Sequence, residues 1–291
     1  MNDKKQLSGV AFIAASAASF AFLPIFAKLA YAAGSGIYTL LFFRFSIAAA
    51  CMFLLLLILR RPLPQKKNFL HLLLLGGVGY GLVSFCCFSA LRYVSSGTAS
   101  LLLYTYPAFV MLGSAIFLKE KITAKKILSL CLALAGAVII VGADFKGKLL
   151  GIVFAALSGI SYAAYILISS RVVKKGREIE SSAVLMLGAA IVYAASLPFA
   201  GFEPPKTAIG VLAAVLVALV STAIAFVTFF IGMEKTSPTV ASLVSILEPV
   251  ITVFASAIIL SEKITMNIVL GGLLVLFALI VTILPQKEKA A

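Results

Sequence analysis

The chain has 291 residues, of which 63% are apolar and 12% charged, about half the charged fraction of a soluble domain. Apolar runs of about 20 residues, each long enough to cross a bilayer core of roughly 30 Å, recur along its whole length. This excludes a soluble globular protein, and the net charge of +14 lies between the apolar runs, where it reads as a topology signal rather than a nucleic-acid-binding surface.

Ten spans are predicted, at about 7–32, 37–59, 68–91, 96–118, 124–142, 149–172, 181–199, 207–232, 239–260 and 266–284. They are continuous apolar runs without the alternation of barrel strands, so the expected fold class is an all-α integral membrane protein. Lys4-Lys5 followed by an apolar run resembles a signal peptide, with Ala15-Ser16-Ala17 as a cleavage site. The run continues to Ala32, too long for a signal core, and is expected to be the first span.

Orientation follows from Lys and Arg. With the N-terminus inside, 17 of them fall on the inner side, from Lys4 to Lys289, and 5 on the outer side: Arg92, Lys146, Lys148, Lys206 and Lys263. The bias predicts a multi-pass protein of the inner (plasma) membrane with both termini cytoplasmic.

The fourth and ninth spans contain one stretch twice. Ala99-Ser100-Leu101, Pro107, Ser114-Ala115-Ile116, Leu118 and Glu120-Lys121-Ile122-Thr123 recur 142 residues later, from Ala241 to Thr265, with 12 of 25 positions identical. The same offset aligns Leu7, Gly9, Phe12, Ala14, Ser16, Ser19 and Ala21 of the first span with Leu149, Gly151, Phe154, Ala156, Ser158, Ser161 and Ala163 of the sixth. The repeating unit is therefore five helices, 1–145 and 146–291, and because five is odd the second copy is inverted. The loop at 119–126 carries four cations where it is predicted inside, and its counterpart carries one where it is predicted outside. An inverted 5+5 repeat places a substrate site between the halves and permits alternating access.

Three ionisable residues fall within spans: Lys28, Arg44 and Glu248. A charge there costs roughly 2.5–3.5 kcal/mol on insertion scales and defaults to a functional reading. Lys28 is close enough to its helix end to snorkel instead. Arg44 is deeper, and together the two cations form a candidate anion site. Glu248 is expected near the midplane, to carry a coupling proton, bind an amine, or pair with Arg44. Pro107 and Pro249 occupy matched positions, each freeing a carbonyl four residues earlier, and are candidate gating kinks. Ser158, Ser161, Tyr162, Tyr165 and Ser169 share one helical face, and Ser158, Tyr162 and Tyr165 are candidate cavity residues. Tyr80, Ser84, Tyr104 and Tyr106 join them. Gly77 and Gly81 read as packing positions, and Glu120 and Glu262 as solvated or capping residues at span ends.

The four cysteines lie in apolar runs without metal-ligand spacing, His71 is the one histidine, and there is no phosphate-binding loop. No enzyme activity, cofactor, metal or nucleic-acid partner is expected. The expected partners are a small-molecule substrate, protons and the lipid bilayer; oligomeric state stays open, with a monomer sufficient.

Lys28 late in span one, Arg44-Phe45 in span two, and the proline-centred spans ending in Glu-Lys-Ile-Thr, with Leu247-Glu248-Pro249-Val250, make the chain resemble the drug/metabolite transporter superfamily, of the kind built from two EamA domains. The resemblance implies secondary transport, mainly export, of amino acids or other small metabolites. The first four helices of each repeat would surround a cavity and the fifth would pack outside. The alternatives are an exporter of cationic or lipophilic drugs and a passive metabolite channel. Tyr106 stands where Glu248 stands in the second repeat, so any carboxylate role is one-sided. The chain has no Trp, unlike relatives with a Trp-rich first span.

Overall fold

The computed structural model describes residues 3–90, 93–94, 102–141, 148–259 and 266–283. Among them every regular element is helical. In chain order these are α1 (Asp3–Ala21), α2 (Leu23–Ala32), α3 (Ile37–Ile58), α4 (Lys66–Leu74), α5 (Gly81–Ala90), α6 (Tyr106–Leu118), α7 (Ala124–Val141), α8 (Leu149–Val172), α9 (Glu178–Ala200), α10 (Ala208–Ala218), α11 (Ala225–Lys235), α12 (Pro238–Ser245), α13 (Leu247–Ile259) and α14 (Met266–Ile283). The start of the first twin stretch, Ala99 to Leu101, and the loop holding Glu262 lie outside the described residues.

Among the described residues, seven helical rods are long and apolar enough to cross a membrane: Lys4–Ala32, Ile37–Ile58, Lys66–Cys87, Leu149–Val172, Glu178–Ala200, Ala208–Lys235 and Pro238–Ile259. Tyr106–Leu118 and Met266–Thr282 are shorter apolar helices beside them. Large apolar side chains such as Leu57, Leu149, Phe199 and Ile258 cover the outside of the bundle. Lipid accepts such a surface and water does not.

Several rods are interrupted, each for a local reason. Pro24 follows a break at Phe22 between α1 and α2. Pro107 and Pro249 follow breaks at Tyr104-Thr105 and at Ile246, positions that match under the 142-residue offset. Proline cannot donate to the carbonyl four residues back, and the chain tightens there instead, with Thr105 N–H bonding the Leu102 carbonyl and Ile246 N–H the Leu243 carbonyl, both at 3.3 Å. Two further rods each contain one wider turn that the sequence did not predict. Leu75–Tyr80 joins α4 to α5, and Leu219–Ile224 joins α10 to α11, both as π-helical turns.

The helices pack in a definite order. α3 lies against α9, α1 against α11, α5 against α8, α2 against α10, and α7 against α14. Glycine makes the closest approach possible: a side chain on Gly136 would stand 2.7 Å from the Gly271 carbonyl, and one on Gly271 would stand 2.6 Å from the Gly136 carbonyl. Beside them Ser129 donates to the Ala278 carbonyl at 2.7 Å. α7 and α14 share their own small core with Met111 and Ile246. The main core lies among α1, α3, α5, α6, α8, α9, α11 and α12, with Phe45, Leu185, Ile166 and Phe230 at its centre. Gly77 packs as expected, 3.0 Å from the Gly188 carbonyl when given a side chain, whereas Gly81 has more room.

Candidate functional site

Arg44 sits in the middle of α3 and is only 2% exposed. Its Nε donates to Thr222 Oγ1 at 2.8 Å and its Nη2 to Tyr80 Oη at 3.2 Å. Its guanidinium carbon lies 4.9 Å from the centre of the Phe45 ring and 5.7 Å from that of Tyr80. Planar, weakly hydrated guanidinium tolerates such aromatic faces better than an ammonium does.

Tyr80 is the hub of an aromatic cluster. Its ring centre is 4.8 Å from Phe226, 5.2 Å from Tyr165, 5.8 Å from Phe45 and 6.3 Å from Tyr162. Tyr162 in turn lies 4.7 Å from Tyr106. Tyr106 opens α6 immediately after the proline break, and its hydroxyl donates to the Ser242 carbonyl of α12 at 3.4 Å.

Glu248 stands in the first turn of α13, after the matching break, where unpaired backbone N–H groups favour a carboxylate. The Arg44 charge acts on it and its own charge acts on Tyr104, Tyr106 and Tyr162, which places the carboxylate near the same cluster. Yet Glu248 is only half-buried, and among the described residues its side chain has no ion-pair partner. The direct Arg44–Glu248 pair, one of the three readings of this glutamate, is therefore not formed. The hydroxyl of Tyr165 is buried without a hydrogen-bond partner among the described residues, while that of Ser158, also buried, lies beside the Cys87 thiol. Buried polar groups are nearly always satisfied, so Tyr165 calls for water or a ligand.

The fold thus gathers Arg44, Tyr80, Tyr104, Tyr106, Tyr162, Tyr165 and Glu248 from five rods. Ser84 is buried one layer behind, beside Tyr193, whose hydroxyl donates to the Gly81 carbonyl at 3.2 Å. Lys28 has an exposed side chain on α2, while Arg44 is enclosed, so the two do not share one environment. Thr222, Phe226 and Tyr193 were not expected. Ser221-Thr222 is a polar pair inside a long apolar run, and that was the available signal for Thr222.

At one end of the bundle, Glu120 does more than cap α6. α6 ends on Lys119 with a left-handed backbone (φ 55°), and the Glu120 N–H returns to the Ser114 carbonyl at 3.0 Å. This aims the carboxylate at α12. It accepts from Ser237 Oγ at 2.7 Å, Thr239 Oγ1 at 2.9 Å and Lys126 Nζ at 2.7 Å. Burial alone would raise its pKa, but the hydrogen bonds from Lys126, Ser237 and Thr239 and the Lys126 charge outweigh it and hold the carboxyl below its ordinary value. A cavity of about 490 Å³ opens beside it, lined by Leu118, Ser170, Lys175, Glu178 and Glu234 among others.

Comparison with known proteins bears on all of this. A solved crystal structure superposes with a TM-score of 0.79 at 21% sequence identity, over 94% of this chain and 96% of that one, so the fold is one already seen. The chain is 31% identical over 216 residues to the uncharacterized transporter YoaV of Bacillus subtilis, covering 72% of this chain and 73% of YoaV. It is 26% identical over 283 residues to YcbK of the same organism, also named an uncharacterized transporter, covering 92% and 90%. An uncharacterized transporter of Archaeoglobus fulgidus is 28% identical over 200 residues, 66% of this chain and 69% of that protein. The EamA-like transporter profile matches twice, at residues 7–142 and 149–284, the same two copies that the 142-residue offset marks out, and the chain belongs to that family.

Proposed function

We propose that this family member is a secondary carrier, working as an exporter of small metabolites with amino acids favoured, by alternating access between two inverted five-helix repeats. Ten membrane crossings, an inner-membrane location and cytoplasmic termini are part of this reading and rest on the apolar runs and the Lys/Arg bias. The packing order supports the repeat. Under the 142-residue offset the pair α1–α11 corresponds to α5–α8, while α3–α9 and α7–α14 each map onto themselves. A molecule built this way can exchange the roles of its two ends.

The observation that carries the substrate reading is Glu248. It is a partly buried carboxylate among tyrosines, without an ion-pair partner among the described residues. An ammonium group would meet the carboxylate and the faces of Tyr106 and Tyr162, and tyrosine hydroxyls would meet the carboxylate end of an amino acid. With no substrate bound, the same group can take a proton, which is how a proton gradient would be coupled. The test is counterflow in liposomes of purified protein preloaded with candidate amino acids. Uptake of labelled amino acid against matching internal load supports the reading, and no exchange of any amino acid, with or without a proton gradient, removes that substrate class.

A second reading, export of cationic or lipophilic compounds, draws on one observation. Arg44 is held by Thr222 and Tyr80, while Glu248 has no ion-pair partner among the described residues, so the site offers more to a cation than to an anion. Cationic dyes in the same screen distinguish the two.

A further inference from the structure

We infer that Arg44 is a positioning residue: it pins the two π-helical turns to one another and thereby fixes where Tyr80 stands in the candidate site. The inference rests on the proposed site for its functional consequence, but its structural core does not depend on the substrate.

The two bonds of Arg44 go to two different halves of the chain. Nη2 reaches Tyr80, the last residue of the first π turn, Leu75–Tyr80. Nε reaches Thr222, inside the second, Leu219–Ile224. The turns lie 144 residues apart, within two residues of the repeat offset, so one side chain ties equivalent irregularities of the two repeats. A π turn shifts hydrogen bonding from four residues back to five. Thr222 serves that shift directly, since its hydroxyl donates to the Val217 carbonyl, five residues back, at 2.8 Å. The same oxygen accepts from Arg44. A single hydroxyl therefore couples the backbone register of the second turn to the guanidinium, and the guanidinium couples it to Tyr80.

The rest of the surroundings fits a fixed role. The guanidinium is buried, is flanked by the Phe45 and Tyr80 rings, and has no carboxylate within ion-pair distance among the described residues. Second-turn neighbours are also tied across helices, Ser221 donating to the Ser19 carbonyl at 2.8 Å and Ser16 to the Ala225 carbonyl at 2.7 Å. A lysine could carry the charge but could not span both acceptors in fixed geometry.

The experiment reads backbone hydrogen exchange by mass spectrometry on the purified full chain, over the segments 75–80 and 219–224, for Thr222→Val, Thr222→Ser and Arg44→Lys. Thr222→Val keeps the shape and removes the acceptor. It is expected to speed exchange at least fivefold in both segments, including the first, which contains no altered residue. Thr222→Ser is expected to restore both, and segments around Gly136 and Gly271 are expected to stay unchanged. In counterflow, Arg44→Lys is expected to lower transport by the same factor for an amino acid and for its decarboxylated amine. Unchanged exchange over 75–80 in Thr222→Val overturns the pin. So does an Arg44→Lys defect confined to a raised KM for the carboxylated substrate, because that marks a substrate ligand. If no solute is transported, the exchange arm decides alone.

Discussion

Tyr106 and Glu248 hold the same place in the two halves of the sequence: each lies in the first turn of a helix just after a break, each is followed by proline, and they differ by the repeat offset of 142 residues. One contributes a phenol that bonds the Ser242 carbonyl, and the other a carboxylate without an ion-pair partner among the described residues. The repeated sequence thus carries an asymmetric pair at matched positions. Removing the charge with Glu248→Gln takes away a charge-assisted contact of about 1.5–3 kcal/mol, so the affinity for an amine-bearing substrate is expected to fall about ten- to hundredfold. Tyr106→Phe removes one long neutral hydrogen bond and is expected to change affinity by about tenfold or less. Substrate binding to both variants, measured by calorimetry, checks the contrast.

Glu120 joins α6 and α7 to α12 through Lys126, Ser237 and Thr239, which makes it a tie between the two halves at the end that the charge bias puts inside. Its carboxyl is held below the ordinary glutamate value, so the tie is complete above that value and is lost as pH falls through the lowered one. Between pH 6 and pH 8, roughly, Glu120 itself is expected to add no pH dependence. Glu120→Gln is expected to loosen the tie at all pH values, increasing the labelling of a cysteine placed at Ser170, in the neighbouring cavity, by a membrane-impermeant thiol reagent.

Gly136 and Gly271 face each other across α7 and α14 with no room for a side chain. Overpacking a close-packed contact costs typically about 1–3 kcal/mol. Gly136→Ala and Gly271→Ala are each expected to lower the melting temperature of the purified protein while leaving substrate affinity unchanged, because none of the candidate-site residues belongs to the core that α7 and α14 share. A lowered affinity at unchanged melting temperature would contradict the separation.

The two proline breaks are expected to matter for motion more than for binding. Pro249→Ala restores a donor for the Ser245 carbonyl and favours a continuous helix through Ile246. The maximum exchange rate is expected to fall several-fold with KM little changed. Pro107→Ala is expected to behave alike if the two halves exchange roles during the cycle.

Much of this arrangement was legible in the residues. The apolar runs, the repeat and the matched prolines are one-dimensional signals, written in hydropathy and in register. So was the membership of Tyr80, Tyr104, Tyr106, Tyr162, Tyr165 and Glu248 in one cluster, since polar and aromatic groups within apolar runs must face each other or a cavity. The π turns were not, because a single inserted hydrogen-bond register leaves no mark in apolar periodicity. Nor was the use of Arg44: a buried guanidinium suits a substrate carboxylate and an internal hydroxyl equally well, and only the positions of Thr222 and Tyr80 decide between them. Nor was the tie made by Glu120, which the sequence places at a span end as a solvated or capping residue, because Ser237 and Thr239 are over 110 residues away in sequence.

Whether Glu248 lies in the path of a transported solute, as proposed, is decided by counterflow in liposomes holding either the unaltered chain or Glu248→Gln, screened over amino acids and cationic dyes at matched protein density. Accumulation of an amine-bearing solute by the unaltered chain is expected, with a loss of at least tenfold in Glu248→Gln and Glu248→Asp in between. Equal exchange by Glu248→Gln and the unaltered chain, or flux that never accumulates against a preloaded pool, would contradict it.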